Sequence, residues 1–331
     1  AAGSGWKYDK LSKRAYDLHF DGYLKKLLDR LGPLAGKGPG GVTGLLLDSY
    51  EPGSQNWTDD LPAEFERIMG YSMKPYYPVL AGRVVTSTEV SERFLRDFRR
   101  VVADMFAHNF ADHQVKRAHA YGLKVYHEPY GAPTPGDFLQ YGQNADIPMS
   151  EYWAWDQDKG KLDGGSPIGG HIAHFWGKRI VAAESFTTWP TLAGWRQDPY
   201  SLKGWNDAGY VQGVNQVVYH GAVHQPWLDE HLFPGMTLGR FGVHFGRTVT
   251  WWPLAGEWIR YQMRCQYLLQ EGTFRADVLA FAGDDAPKDT IKSIEKMKGK
   301  PGYGFDAITR EGLKAVRVRN GRLVSPGGVT Y

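Results

Sequence analysis

Four short apolar runs in this chain each end on a glutamate: LLLDSYE at Glu51, KVYHE at Glu128, DIPMSE at Glu151 and RIVAAE at Glu184. Parallel strands that are buried on both faces read as continuous apolar runs. In a β/α barrel the residues at the C-terminal strand ends line the active face. Carboxylates gathered there repel one another unless they hold a proton, bind a cation or do acid–base chemistry.

Two of these glutamates fit the pair of carboxyl groups that glycoside cleavage needs, one protonated and one ionised. Glu51 is the candidate acid, because Tyr50, Pro52 and Trp57 are predicted to surround it with apolar groups that favour a protonated carboxyl. Glu184 is the candidate base or nucleophile. The sequence therefore predicts a glycosidase, and the weaker alternative for either glutamate taken alone is a helix cap or an ion-pair partner.

Further polar and aromatic residues near the strand ends are predicted to contact a sugar. Trp and Tyr combine a flat apolar face with a polar edge, which suits sugar rings. The predicted substrate-binding residues are Trp57, His127, Glu128, Trp153, His220 and His224. For each histidine a purely structural role is the alternative. Zinc is the weaker interpretation, since HExxH is absent and HGAVH follows a strand.

Acidic side chains around the same strand ends also suggest a hard cation. Glu128 and Glu151, with Asp48 and Asp146 close in sequence to the strands, could supply the oxygen ligands that Ca²⁺ prefers. No EF-hand spacing is present, so the sequence does not assign the ligands.

The elements that must position these residues alternate between strand and helix. Strands are predicted to end near residues 48, 127, 150, 183 and 219, and helices are predicted over 9–31 and 91–121. Such alternation is typical of a parallel sheet. A complete barrel has eight strands in roughly 250 residues, so the five are interpreted as strands four to eight. A complete five-stranded open sheet is the alternative.

The predicted fold class is therefore α/β. Residues 1–275 are interpreted as the C-terminal part of a (β/α)8 TIM barrel, and residues 276–331 as the beginning of a following α/β domain.

Composition narrows the function classes. Lys and Arg number 39 against 36 Asp and Glu, and no basic stripe or RNA-binding motif is present, so no nucleic-acid partner is expected. The single cysteine, Cys265, excludes an internal disulfide framework. No apolar stretch is long enough to span a membrane.

The chain lacks an initiator Met and a signal peptide, and it is interpreted as an internal piece of a longer protein. The remaining domains of the parent chain are expected as partners, and the piece is not expected to fold by itself. The expected location is periplasmic or extracellular in a bacterium.

Several segments resemble the bacterial α-L-rhamnosidases of glycoside hydrolase family 106. They are LLLDSYE followed by NWT, FLRDFRRVVADMF, AESFT, YHGAVHQPW and above all the block from Pro234 to Pro287. The resemblance implies a (β/α)8 catalytic barrel, inverting hydrolysis of L-rhamnose linkages in plant or other glycans, and calcium in the active site.

The family's acid corresponds to Glu51, and its water-activating carboxylates correspond to Glu184 and Glu151. Two alternatives stay open. One is a retaining barrel glycosidase of the β-galactosidase type with Glu184 as nucleophile, and the other is a non-catalytic carbohydrate-binding protein.

Overall fold

The computed structural model describes residues 7–131, 135–154, 167–188, 194–237, 239–288 and 302–331. The chain has an α/β fold and divides into two compact units. The first unit comprises Ala1–Asp146, Phe281–Lys298 and Ile308–Lys314, and the second comprises Ile147–Ala280, Gly299–Ala307 and Ala315–Tyr331.

The first unit is mainly helical. Its helices are α1 (Lys13–Gly22), α2 (Leu24–Leu31), α3 (Leu61–Met69), α4 (Tyr77–Leu80), α5 (Thr88–Met105), a π-helical turn (Phe106–Ala111), α6 (Asp112–His119) and α7 (Phe138–Gly142). Short 3₁₀ turns occupy Gly32–Leu34 and Lys74–Tyr76. Two parallel strands, β1 (Gly44–Leu47) and β2 (Lys124–His127), pair in register from Gly44↔Lys124 to Leu47↔His127.

Local sequence explains where these helices begin and end. The hydroxyl of Ser87 accepts a hydrogen bond from the Val90 amide and so caps α5. The helix predicted over 91–121 is found as α5, the π-helical turn and α6 in succession. The single helix predicted over 9–31 is instead two, because Tyr23 has φ −129° and ψ −72°, which interrupts the helical backbone.

The core of the first unit contains the apolar stripe that runs along α5 and the π-helical turn after it. This stripe packs against residues of the other helices and of β2. The larger members of this core are Phe20, Phe65, Phe94, Phe98, Val101, Met105, Phe106, Phe110, Leu123, Val125 and Tyr141. Repeats of three and four in this stripe are what a helix with one buried face requires.

The second unit is built on three parallel strands: β3 (Ile147–Ala154), β4 (Ala182–Thr188) and β5 (Gln216–Tyr219). Its helices are α8 (Ile168–Trp176), α9 (Pro199–Val211) and α10 (Gly256–Glu271). Its core includes Tyr152, Ala183, Phe186, Leu202, Trp205, Val214, Val243, Phe245 and Trp258.

One irregularity interrupts the pairing of β3 with β4. Tyr152 pairs with Ser185, but the next residue of β3, Trp153, pairs with Thr187, so Phe186 is an extra residue in β4. Phe186 has φ +75°, a backbone conformation that is costly for a bulky side chain. This is a β-bulge, which redirects the side chains that follow it.

Helix positions in the second unit are set by caps and by one close approach. A capping box between Asp198 and Ser201 starts α9, as the Asp-Pro pair predicts. At the start of α8, the Gly169 amide donates to Ser150 Oγ at 3.1 Å, and a Cβ on Gly169 would lie 2.6 Å from the Met149 carbonyl carbon. Only glycine lets α8 pack so close to β3.

The remaining elements lie toward the C-terminus: β6 (Val278–Phe281), β7 (Phe305–Ile308), α11 (Arg310–Ala315), β8 (Arg317–Arg319) and β9 (Arg322–Val324). The boundary after residue 275 stays a prediction. Among the described residues, no helix is both long and apolar enough to cross a bilayer.

Candidate active site

In the first unit, the loop after β1 brings three carboxylates around one serine. The Ser49 amide donates to Asp48 Oδ1 at 2.9 Å and to Glu128 Oε2 at 3.1 Å. The Ser49 hydroxyl donates to Glu51 Oε1 at 2.9 Å. Glu128 is held in place as its own amide donates to the Leu47 carbonyl. The structure therefore groups Glu51 and Glu128 just beyond the C-terminal ends of β1 and β2, as the sequence predicts for adjacent parallel strands.

This loop is fixed by the loop that follows Glu128. The Tyr50 amide donates to the Tyr130 carbonyl at 2.9 Å. Gly131 has φ +129°, and a Cβ there would lie 2.0 Å from the Tyr50 carbonyl oxygen. The contact requires glycine both for its backbone conformation and for its lack of a side chain.

The apolar surroundings predicted for Glu51 are not found in this unit. Glu51 is exposed, whereas the Tyr50 ring is buried against Phe106 with ring centroids 4.8 Å apart. Trp57 is 43% exposed and meets Tyr77 edge-on. Tyr50 turns inward because its ring belongs to the core, so the residue before Glu51 serves packing.

His127, predicted to bind substrate, is buried at 1% exposure and packs edge-on against Tyr141 at 4.3 Å. Burial lowers the pKa of His127 to about 3, so its imidazole is neutral. A side chain enclosed in this way fits the structural role that the sequence leaves open.

Asp146 does not lie beside Glu128 in the structure. Asp146 Oδ2 accepts from the Val125 amide at 2.8 Å and faces His119 at 2.9 Å. Val125 lies near the start of β2 and Glu128 follows its end, so Asp146 belongs to the opposite end of the strand. The suggestion that Asp146 joins Glu128 around a cation is therefore wrong.

In the second unit, Glu151 and Glu184 are direct neighbours on β3 and β4, paired in register. Because paired residues of parallel strands point to the same face about 4.8 Å apart, the two carboxylates share one face. Trp153 Nε1 donates to Glu151 Oε1, and the Trp153 ring meets Phe241 edge-on. Both glutamates lie within their strands and not beyond them, since β3 continues to Ala154 and β4 to Thr188.

Glu184 is held by two further side chains. Thr187 Oγ1 donates to Glu184 Oε1 at 2.6 Å and also lies 2.6 Å from His220 Nδ1. His220 Nδ1 is 3.3 Å from Glu184 Oε1. His220, predicted to bind substrate, is thus joined to a candidate catalytic carboxylate, while His224 is exposed on the following loop.

Sequence reasoning missed two residues that contact these carboxylates, Ser49 and Thr187, and a buried histidine of the second unit, His244. Ser49 and Thr187 carry no recognisable motif, since hydroxyl residues are common and their partners depend on the fold. His244 is buried at 7% exposure and stacks on Trp195 at 4.3 Å. The aromatic-rich GRFGVHFG segment that contains His244 is the sequence feature that could have indicated this position. In the structure the Gly221 amide donates to the Val243 carbonyl, and the Phe245 amide donates to the Gly221 carbonyl.

The first-unit carboxylates fit a hard cation. Oxygens of Asp48 and Glu128 lie within 4.8 Å of one another, and both accept from the same amide. Glu128 is buried at 1% exposure, and a buried carboxylate is costly unless positive charge or hydrogen bonds stabilise it. Carboxylate oxygens are the ligands that Ca²⁺ takes.

Each unit thus presents carboxylates at or near the C-terminal ends of parallel strands. In the first unit Glu51 is exposed and free of cationic partners among the described residues, so it can exchange protons with a ligand. In the second unit Glu184 is oriented by neighbouring side chains, as a general base must be.

Comparisons with known proteins match this chain to a glycosidase family and to two relatives. Residues 1–331 match the profile of the family described as Glyco_hydro_106, alpha-L-rhamnosidase. The chain is 38% identical over 335 residues to a protein named "Putative beta-glucuronidase" from Formosa agariphila, covering 99% of this chain and 27% of that protein.

A solved structure has the same fold as this chain over nearly its whole length. The rhamnosidase from Novosphingobium sp. PP1Y superposes on this chain with a TM-score of 0.89 and 35% identity, over 99% of this chain and 31% of that one. The chain therefore spans about a third or less of the length of both relatives.

Proposed function

Because this chain belongs to glycoside hydrolase family 106, the alpha-L-rhamnosidase family, we propose that its protein hydrolyses α-L-rhamnosidic bonds. The substrate is an oligosaccharide or polysaccharide that contains L-rhamnose. The observation that carries the proposal is the oriented carboxylate Glu184, held by Thr187 and paired in register with Glu151.

Glu51 is the proposed general acid. Its exposed carboxyl group is anchored through one oxygen by the Ser49 hydroxyl, and this anchor leaves the other oxygen to protonate the glycosidic oxygen as positive charge develops on the sugar ring. Its interaction with Ser49 orients the group without enclosing it.

Glu184 is the proposed general base, assisted by Glu151. A water held by Glu184 would lose a proton as it attacks the anomeric carbon from the opposite face of the sugar, which inverts the configuration. Two adjacent carboxylates repel each other when both are ionised. A positive charge that develops on the sugar ring beside the two carboxylates would relieve this repulsion.

Calcium is part of this proposal, with Asp48 and Glu128 as the residues that would hold it. When bound, Ca²⁺ would supply a positive charge that contacts sugar hydroxyls. The (β/α)8 barrel with β1 to β5 as strands four to eight, the periplasmic or extracellular location and the contacts with further domains also remain proposals.

The acid role is tested with Glu51→Gln in the full-length protein. Protonation matters most when the leaving group is poor, so kcat/KM should fall strongly on a natural rhamnoside and little on an activated aryl α-L-rhamnoside. An equal loss on both substrates would contradict the acid role. Inversion is tested separately by observing the first-formed anomer by NMR, and retention would instead favour Glu184 as nucleophile.

A second candidate rests on the relative named "Putative beta-glucuronidase", which shares 38% identity. The same carboxylates could cleave a β-glucuronide. Comparing kcat/KM for aryl α-L-rhamnoside and aryl β-D-glucuronide separates the two, and sugar binding measured by calorimetry without any turnover would favour the non-catalytic alternative.

A further inference from the structure

Glu184, Thr187 and His220 form a closed triangle of polar atoms. The Glu184 Oε1–Thr187 Oγ1 and Thr187 Oγ1–His220 Nδ1 distances are both 2.6 Å, and the third side, from His220 Nδ1 to Glu184 Oε1, is 3.3 Å. Thr187 is buried at 2% exposure, whereas Glu184 and His220 keep part of their side chains open to solvent.

The β-bulge at Phe186 makes this triangle possible. In a regular strand, residues three apart point to opposite faces. The extra residue at Phe186 shifts the alternation by one, so that Thr187 faces the same side as Glu184. Phe186 itself packs into the core against Tyr152 and Phe245, which stabilises its unusual backbone conformation.

Counting protons fixes the direction of the hydrogen bonds. The Thr187 hydroxyl has one proton and can also accept. If it donates to an ionised Glu184, it must accept from His220, so His220 carries its proton on Nδ1. The reverse direction would require a protonated Glu184, which could not act as a base. If Glu184 is ionised, this hydrogen-bond arrangement therefore requires a proton on His220 Nδ1.

We propose that Thr187 and His220 are positioning residues for Glu184. This inference rests on the proposed function, because it assigns them to the orientation of the base. Among the described residues, Thr187 and His220 both contact Oε1 of Glu184. Oε2 is therefore the oxygen that is left to bind the attacking water. A base must lie within hydrogen-bond reach of its water, and a displacement near 1 Å costs about 100-fold in rate.

The test is Thr187→Val in the full-length protein, with Thr188→Val as the matched control. Val has the shape of Thr without its hydroxyl. Thr188 is buried at 0% exposure and is also in β4, but its hydroxyl donates to the Phe186 carbonyl. Thr187→Val should lower kcat on an aryl α-L-rhamnoside by roughly 10–100-fold with KM nearly unchanged, and Thr187→Ser should restore most of it.

Three kinetic outcomes would overturn the inference: wild-type kcat in Thr187→Val, an equal loss in Thr188→Val, or failure of Thr187→Ser to restore activity. An equal loss would mean that β4 packing, not the hydroxyl, is responsible.

A second readout does not depend on turnover. In ¹⁵N-histidine-labelled protein, the His220 signals, assigned by their loss in His220→Gln, should report a proton on Nδ1 in the wild type and a changed state in Thr187→Val. An unchanged His220 spectrum would overturn the inference. A wild-type protein that cleaves no rhamnoside would instead overturn the proposed function, and the spectrum would still decide whether the triangle exists.

Discussion

The two units position their carboxylates by different means. In the first, Asp48, Glu51 and Glu128 follow their strands and are organised by the backbone and hydroxyl of Ser49. In the second, Glu151 and Glu184 lie inside strands, and Glu184 is organised by side chains on β4 and at the end of β5. Loop residues can be oriented by backbone amides, but residues within a strand have their amides committed to the sheet, so their carboxylates depend on side-chain partners.

The largest expected effect is on the second unit. Glu184→Gln keeps the shape of the side chain but removes the base, so kcat should fall about 10²- to 10⁴-fold. The loss should be similar for activated and natural leaving groups, in contrast to Glu51→Gln. Steady-state kinetics on both substrates checks this, with Glu271→Gln at an exposed ion pair with Arg179 as the control. A leaving-group dependence like that of Glu51→Gln would contradict the division of roles.

The next largest effect is expected on stability, at the backbone contact between Gly131 and Tyr50 in the first unit. Gly131→Ala places a Cβ 2.0 Å from the Tyr50 carbonyl oxygen, and should lower the free energy of unfolding by about 2–3 kcal/mol. The control is Gly53→Ala, where φ is +94° but nothing lies within 4 Å of the added Cβ. Denaturant unfolding measures both. Equal losses would mean that backbone conformation alone, not the close approach, explains the requirement for glycine.

Removal of calcium should affect the first unit if Asp48 and Glu128 bind it. Saturation at about 100 times the dissociation constant stabilises a protein by about 2.7 kcal/mol. A chelator should therefore lower the melting temperature of the wild type, and Asp48→Asn should abolish that response. A wild type insensitive to chelation, or an Asp48→Asn variant that still responds, would exclude these ligands.

The smallest effect concerns acid stability. His127 has a pKa of about 3 in the folded protein and about 6.5 when unfolded, because burial disfavours its charged form. The unfolded state therefore binds more protons below pH 6.5, and stability that is present above that pH is lost as the pH falls toward 3. His127→Phe should flatten the dependence of the unfolding free energy between pH 7 and pH 5. His224→Phe should leave it steep, and the opposite result would exclude His127 as the cause.

Sequence patterns predicted the elements better than the details of the site. The apolar runs located the strands β1 to β5, and the Asp198-Pro199 pair marks the start of α9, because strand burial and helix capping are local rules. They placed the ends of β3 and β4 too early. Glu151 and Glu184 look like terminators of apolar runs, but the strands continue through polar residues that face the site.

The side chains that contact the carboxylates could not be predicted from the sequence, for a related reason. Thr187 meets Glu184 only because Phe186 is an extra residue, and nothing in the letters AESFTT signals a bulge. Likewise, the inward turn of Tyr50 depends on contacts with Phe106, more than fifty positions away. Such features follow from tertiary packing, which a pattern of spacing does not contain.

The extra residue in β4 also limits how this strand can change over time. With the length of β4 unchanged, loss of the bulge would turn Thr187 to the opposite face of the sheet, where its hydroxyl would enter the apolar interior. Deleting one residue between Glu184 and Thr187 would remove the bulge and keep these two residues on one face, but the ring of Phe186 would be lost or displaced from its packing against Tyr152 and Phe245. The bulge therefore couples the direction of the threonine hydroxyl to the packing of the core.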